Sequence, residues 1–231
     1  MTIPRILYED NHLVVAIKPQ NMPTQADSSK DADFLNQIKQ YVKETYGKPG
    51  EAYIGLVHRL DRPAGGVMVF ARTSKAAARL SAQIKNGSFQ KKYFAVVSAD
   101  LPISSELSDF LLKNAKNNTV QVVSANTPGA KHATLRYRTI EQNDDLRLLD
   151  ISLLTGRPHQ IRVQLAHAGA PLLGDVKYGG EQNSRLCLWS YQLSFLHPTK
   201  KERLTFDCPP PDCYPWNLFC KPISQNSPTE N

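Results

Sequence analysis

The sequence predicts an α+β domain built on a mainly antiparallel mixed sheet with flanking helices. Apolar runs with strand-like patterning recur along the chain and are joined by short turns. Segments with helical spacing lie scattered between them. No internal repeat and no linker composition divides the 231 residues, so residues 1–223 read as one domain and 224–231 as a polar tail that frays.

Taken in order, Ile6-Leu7-Tyr8 and Leu13 to Ile17 flank the turn-forming Glu9-Asp10-Asn11 and predict a β-hairpin. Pro19 and Pro23 end the ladder. Asp31 to Tyr46 carries apolar residues at 34, 35, 38, 41 and 42, a helical spacing that Gly47 is placed to stop. Strands follow at Tyr53–Val57 and Val67–Ala71. Ser74 is expected to cap a helix through Lys85, which Asn86-Gly87 ends. Further strands are expected at Tyr93–Ser98, 107–112, 119–123, 133–141 and 146–154. Pro158 fits the first turn of a helix running to Ala168, with Gly169 at its end. Leu186–Phe195 and Arg203–Phe206 are late strands, and Cys208-Pro209-Pro210-Pro211 cannot continue a sheet.

Composition is that of a globular protein, with 41% hydrophobic and 21% charged residues. A net charge of +7 suits a polyanionic partner, because each Lys or Arg that neutralises a phosphate releases counterions. Cys187, Cys208, Cys213 and Cys220 form no C-x-x-C pair. That excludes a zinc-finger pattern, and free thiols are expected. The N-terminus has no apolar signal core and no segment has the length of a membrane span. A cytoplasmic protein with no membrane association is expected.

Three segments hold unusual polar groups. His58-Arg59-Leu60-Asp61-Arg62-Pro63 sets an acid between two arginines ahead of Gly65-Gly66. If extended, it puts Arg59 and Asp61 on one face and His58 and Leu60 on the other. A carboxylate so placed can serve as nucleophile or base, kept ionised by its arginine neighbours; the plain alternative is a surface ion pair. Lys91-Lys92-Tyr93 opens an apolar strand. Tyr93 is either a core tyrosine or a ring that stacks on a base. Finally, Thr155-Gly156-Arg157-Pro158-His159-Gln160-Ile161-Arg162 starts a helix with His159 and Arg162 on one face and Ile161 and Leu165 on another. Its N-terminus suits an anion; the plain alternative is an amphipathic helix with a solvated arginine.

With Y-E-D-N-H-L-V-V-A-I-K-P at the start, H-R-L-D-R-P, K-K-Y-F-A-V-V, and the long G-R-P-H-Q-I-R … G-D-V-K-Y-G block, the chain resembles the RluA family of RNA pseudouridine synthases over about Ile6 to Phe219. The resemblance implies the pseudouridine synthase fold with a central catalytic cleft, and isomerisation of uridine in structured tRNA or rRNA. It implies that Asp61 is catalytic and that Arg59 takes the place of the flipped-out uridine. Tyr93 would pack on the base and act on its C5 proton, Arg162 would pair with Asp61, and Leu188 would line the pocket. Arg62, Lys91, Lys92, Arg157 and His159 complete the expected RNA-binding set. No metal, cofactor or obligate protein partner is implied, and a monomer is expected.

Because the hairpin begins within the first ten residues, the family's frequent S4-type module is expected to be absent. Ala64-Gly65, Gln164 and Trp189 depart from the family pattern and bear on substrate preference. Asp61 could attack the anomeric carbon or remove the 2′ proton, and the sequence leaves both routes open. Two other classes compete. An inactive RNA-binding protein of the same fold would not require an anion facing phosphate. A glycoside hydrolase needs a second acid, and Asp175 reads as a turn residue.

Overall fold

The hairpin at the start forms as the turn chemistry predicts, from strands β1 (Arg5–Glu9) and β2 (Leu13–Lys18) paired antiparallel. Asp10 closes it, its Oδ1 accepting from the backbone N–H groups of His12 and Leu13. The computed structural model describes residues 3–47, 49–182 and 184–219. After β2 come α1 (Phe34–Thr45), β3 (Gly55–Leu56), β4 (Gly65–Ala71) and α2 (Ser74–Lys85). There follow β5 (Gln90–Val97), β6 (Ser104–Asn114), β7 (Thr119–Val123), β8 (Lys131–Asn143), β9 (Leu146–Leu153) and α3 (Gln160–His167). The last two strands are β10 (Leu188–Leu196) and β11 (Arg203–Asp207).

These elements belong to two units. Among the described residues, the first comprises those of 3–91 and 192–208, the second those of 92–191 and 209–219. Two of the three boundaries fall inside a strand, β5 or β10, and the third follows β11 at Cys208, which is why no linker composition marks the first two. In the first unit β2 pairs antiparallel with β1 and β4, and β3 pairs with β4. The last five residues of β10 pair antiparallel with β11. Every residue of β2 and β4 is buried. Helix α1 buries Phe34, Ile38 and Val42, each contributing roughly 1.5–3 kcal/mol through burial. In the second unit antiparallel pairing links β5 to β9, β9 to β8, β8 to β6 and β6 to β7.

Three local expectations change. Thr73, not Ser74, caps α2: it holds the extended backbone a cap needs, and its side chain accepts from Ala76 N–H. The strand expected at 53–57 shrinks to Gly55–Leu56, because His58 interrupts it as described below. The helix expected from Pro158 begins at Gln160, with His159 at its cap in the left-handed region (φ 51°). Gln160–Leu165 are all buried, so α3 is not an amphipathic helix with a solvated arginine. It is clamped to the sheet of its own unit through Gln164, whose Nε2 donates to Asp109 Oδ2 at 2.7 Å and to the Ala133 carbonyl.

Cys187, Cys208 and Cys213 are free thiols; Cys220 and the 224–231 tail lie outside the described residues. Burial pushes the Cys187 thiol up to about 12, so it is inert as a nucleophile. Among the described residues no helix is long and apolar enough to cross a membrane.

Candidate active site

In the first unit the segment His58–Ala64 leaves the sheet and is held almost wholly by side chains. β3 pairs Gly55 with Ala71 and Leu56 with Phe70, and then stops. At the next rung the Val69 N–H donates to His58 Nε2 at 3.1 Å. The imidazole fills the place of a strand carbonyl and lets the chain turn away. Beyond it, successive carbonyls each find a donor. Leu60 O accepts from Thr24 Oγ1 at 2.7 Å, and Leu60 N–H donates back to that oxygen. Asp61 O accepts from Ala64 N–H at 3.0 Å, closing a turn. Arg62 O accepts from Lys18 Nζ and Pro63 O from Gln20 Nε2, each at 3.2 Å. Gly66, at φ 122°, returns the chain to β4 in a conformation that disfavours a side chain.

Along this segment His58 and Leu60 are buried, Arg59 is exposed and Asp61 is half-buried. The predicted alternation of faces therefore holds, although the segment forms no ladder. Two buried bases frame it. Lys18 is fully buried, and its ammonium also donates to Pro19 O at 2.9 Å and Met22 O at 2.6 Å. Burial pushes its pKa down to about 7, with the Asp61 carboxylate pulling it back up and Arg62 pushing it further down. His58 is pushed down to about 3, first by burial and then by the charge of Lys91. It is neutral at pH 7. With Nε2 accepting, its proton resides on Nδ1, a buried atom without a hydrogen-bond partner among the described residues.

The flanking cations divide. Arg62 pairs with Asp31 and at 3.8 Å with Asp27, and donates to Ser29 Oγ at 3.0 Å. The pairing with Arg62 holds the Asp31 carboxyl below its ordinary range. Lys91 is half-buried, and burial lowers its pKa.

In the second unit Tyr93 is buried on β5, opposite Ile151 of β9, while its neighbour Lys92 pairs with Ser152 and is half-buried. Leu188 is buried at the start of β10 and Trp189 follows it inside. Arg157 is exposed, its Nε donating to His132 O at 2.9 Å. Arg162 is buried, and its guanidinium meets Asp175 with two hydrogen bonds, Nε to Oδ2 at 2.7 Å and Nη2 to Oδ1 at 2.6 Å. Asp175 is 1% exposed. It does occupy a turn, as the sequence suggests, but its carboxylate is the bidentate partner of Arg162. The arginine also lies over the Tyr178 ring, 5.0 Å from its centroid, and the Tyr178 hydroxyl meets His159 Nδ1 at 2.6 Å.

Sequence reasoning passed over Lys18, Gln20, Thr24, Asp175 and Tyr178. Two signals were available. A lysine directly ending the apolar run Leu13–Ile17 is out of place unless its charge has partners. The other is the glycine bracket around Asp175–Tyr178. A Cβ on Gly174 would stand 2.3 Å from Arg185 O, and one on Gly180 2.2 Å from Leu172 O, so that turn is packed too tightly for side chains at either end. Among the described residues no group of three or more His, Cys, Asp or Glu side chains is arranged to hold a metal ion.

The fold is shared with a solved human protein, RNA pseudouridylate synthase domain containing 4, at a TM-score of 0.75 and 24% identity, covering 90% of this chain and 88% of that one. A family model described as RNA pseudouridylate synthase matches residues 12–167, a stretch that includes Asp61, Tyr93 and Arg162. The chain belongs to that family. It is 30% identical over 214 residues to ribosomal large subunit pseudouridine synthase C of Vibrio vulnificus, covering 88% of this chain and 65% of that protein. It is 33% identical to the uncharacterized RNA pseudouridine synthase YjbO of Bacillus subtilis, covering 89% of this chain and 72% of that protein. The chain spans about two thirds of the length of the first of these curated relatives.

Proposed function

We propose that this protein converts uridine to pseudouridine in RNA, with Asp61 as the catalytic carboxylate, and that its substrate is RNA of the large ribosomal subunit. The observation that carries the reading is the acid of the H-R-L-D segment in a family member, on a backbone whose carbonyls from Leu60 to Pro63 are all hydrogen-bonded. The substrate class rests on the name of the Vibrio relative; tRNA is the competing target.

The reaction breaks the glycosidic bond, turns the uracil and rejoins it through C5. It is an isomerisation with no net transfer of electrons. Asp61 attacks the anomeric carbon or removes the 2′ proton, and either route requires its charged form. Arg59, exposed beside it, fills the space of the extruded base and offsets part of an unstacking cost of a few kcal/mol. Tyr93 packs on the base and assists loss of the C5 proton, and Leu188 lines the pocket. Arg162 is the cation assigned to the catalytic carboxylate, and Asp175 orients Arg162. Arg62, Lys91, Lys92, Arg157 and His159 serve the RNA backbone.

The test is pseudouridine mapping across the host's rRNA and tRNA in cells carrying the natural protein or Asp61→Asn. One or more large-subunit positions should lose modification while the purified variant still binds RNA. Loss confined to tRNA would move the substrate. Unchanged modification, with turnover by the purified variant, would remove Asp61 from the chemistry.

A further inference from the structure

One edge of the second unit carries a charge bias that the proposed chemistry does not use. From Phe110 to Ile140 the chain holds five Lys or Arg and no Asp or Glu, although acids make up 21 of its 231 residues. The stretch runs from β6 through β7, the edge strand, into β8. Lys113 is paired with Val120, and Lys131 with Leu111, a register that makes the two lysines diagonal neighbours on one face. Both are exposed, as is Lys116 at the hairpin tip, and none of the three ammonium groups has a partner among the described residues. Asp109, the acid that precedes them on that face of β6, accepts from Gln164.

The tip itself is held. Asn114 Oδ1 accepts from Lys116 N–H at 3.0 Å, and Asn117 Oδ1 from Thr119 N–H at 3.2 Å and Oγ1 at 2.6 Å. Lys177 adds a fourth exposed charge, its Nζ donating to Asn118 O at 3.2 Å. Arg157 continues the cluster, bonded to the carbonyl of His132 next to Lys131. The aromatic pair of these strands, Phe110 and His132, lies on the opposite face. Tyr93, assigned to the base, is on the same face as the lysines, since Tyr93, Ile151, Tyr137 and Ser105 are register partners in turn. Strand spacing and rise put Lys113 about 30 Å from Tyr93, close to one turn of a duplex.

We propose that the basic edge of Lys113, Lys116, Lys131 and Lys177 is a second contact surface for RNA, and that it takes the phosphates of a helical stem flanking the target nucleotide. Lysines contribute charge without base readout, so the contact is to the backbone and independent of stem sequence. The inference rests on RNA being the substrate and deepens that reading: the substrate carries a stem long enough to reach the edge.

Binding is measured by fluorescence anisotropy across a range of salt, with two RNA hairpins that share one uridine-bearing loop. Their stems are about five and about 16 base pairs, half a duplex turn and one and a half. Lys113→Glu/Lys131→Glu is compared with Lys75→Glu/Lys85→Glu, which changes net charge equally at exposed positions of α2. All four positions are exposed, and both variants should keep the melting temperature of the natural protein. On the long stem the edge variant should bind about tenfold more weakly, with a log–log salt slope shallower by roughly 1.4 to 1.8, the share of two phosphates. On the short stem it should bind within about twofold of the natural protein, as should the α2 variant on either stem.

Equal losses on both stems, or an α2 variant as impaired as the edge variant, would reduce the effect to net charge and overturn the proposal. So would a natural protein that binds the long stem no more tightly than the short one. If the natural protein converts no uridine in any RNA while the stem-length dependence holds, the isomerase reading fails and the stem contact stands.

Discussion

The loop bearing Asp61 and the helix bearing Arg162 are fixed by opposite means. In the loop it is the backbone that is held: four consecutive carbonyls accept hydrogen bonds, three of them from the side chains of Lys18, Gln20 and Thr24. The side chains of Arg59 and Asp61 project from that frame, one exposed and the other half-buried. In the helix it is the side chain that is held. Arg162 is buried, with Nε and Nη2 of its guanidinium bonded to Asp175 and its face over Tyr178. A reacting group that must meet a substrate needs a rigid backbone and a side chain left accessible. A group that serves by its charge needs its tip fixed, and a bidentate pair does this better than a ladder.

The sharpest way to break this comparison is at Asp175. Asp175→Ala leaves a buried guanidinium without its bidentate partner, and should cost about 3–5 kcal/mol of stability in urea unfolding. A loss below 1 kcal/mol would show that other groups hold Arg162.

Lys18 comes next. Lys18→Met strips three carbonyls of their donor, including that of Arg62 beside Asp61. Turnover should fall about 10²-fold, the effect of a misplacement of roughly 1 Å. The pH dependence carries a sign. The folded pKa of about 7 lies below the ordinary lysine value of 10.5. Between these limits the unfolded chain binds the extra proton, so stability of the natural protein rises with pH. The rise from about pH 7 to 10.5 should be missing in Lys18→Met. Parallel curves for the two proteins would contradict the buried ammonium.

His58 gives a smaller effect, at the acid end. Its folded pKa of about 3 lies below the ordinary 6.5, so its contribution is complete above pH 6.5 and is lost as pH falls toward 3. His58→Gln keeps an acceptor near Val69 N–H and should cost about 1 kcal/mol at pH 7. The gap to the natural protein should close and then reverse between pH 6.5 and 3, as the histidine is forced to charge. A gap that widens on acidification would reverse the assignment.

The exposed ion pairs of Arg62 give the smallest effect on stability. Asp31→Asn should leave the melting temperature unchanged, since pairs at the surface contribute little. It should instead free Arg62 for phosphate, steepening the log–log salt dependence of RNA affinity by roughly 0.7 to 0.9. An unchanged slope would place Arg62 outside the RNA contact.

Much of this was legible along the chain. The hairpin at Asp10, the helix ending at Gly47, and the antiparallel strands all follow from local periodicity and turn chemistry, and the structure departs from them by a few residues. The alternation of His58, Arg59, Leu60 and Asp61 was read correctly, even though no ladder enforces it. The reading failed at Pro158. A proline suggested the helix start, whereas the chain spends two more residues placing His159 in the left-handed region against Tyr178. A similar limit applies at Thr73, where either of two adjacent hydroxyls could cap α2 and only the extended backbone selects one.

By itself the sequence determined where most strands and helices lie and which acid stands among arginines, because each of these is set by neighbours a few residues away. Tertiary structure alone decided what holds the candidate site. Lys18 reaches Arg62 across 44 positions, Thr24 reaches Leu60 across 36, and Arg162 finds Asp175 across 13. A buried charge or carbonyl must find a partner, since leaving it bare costs several kcal/mol. Which partner it finds depends on chain geometry that no local period encodes.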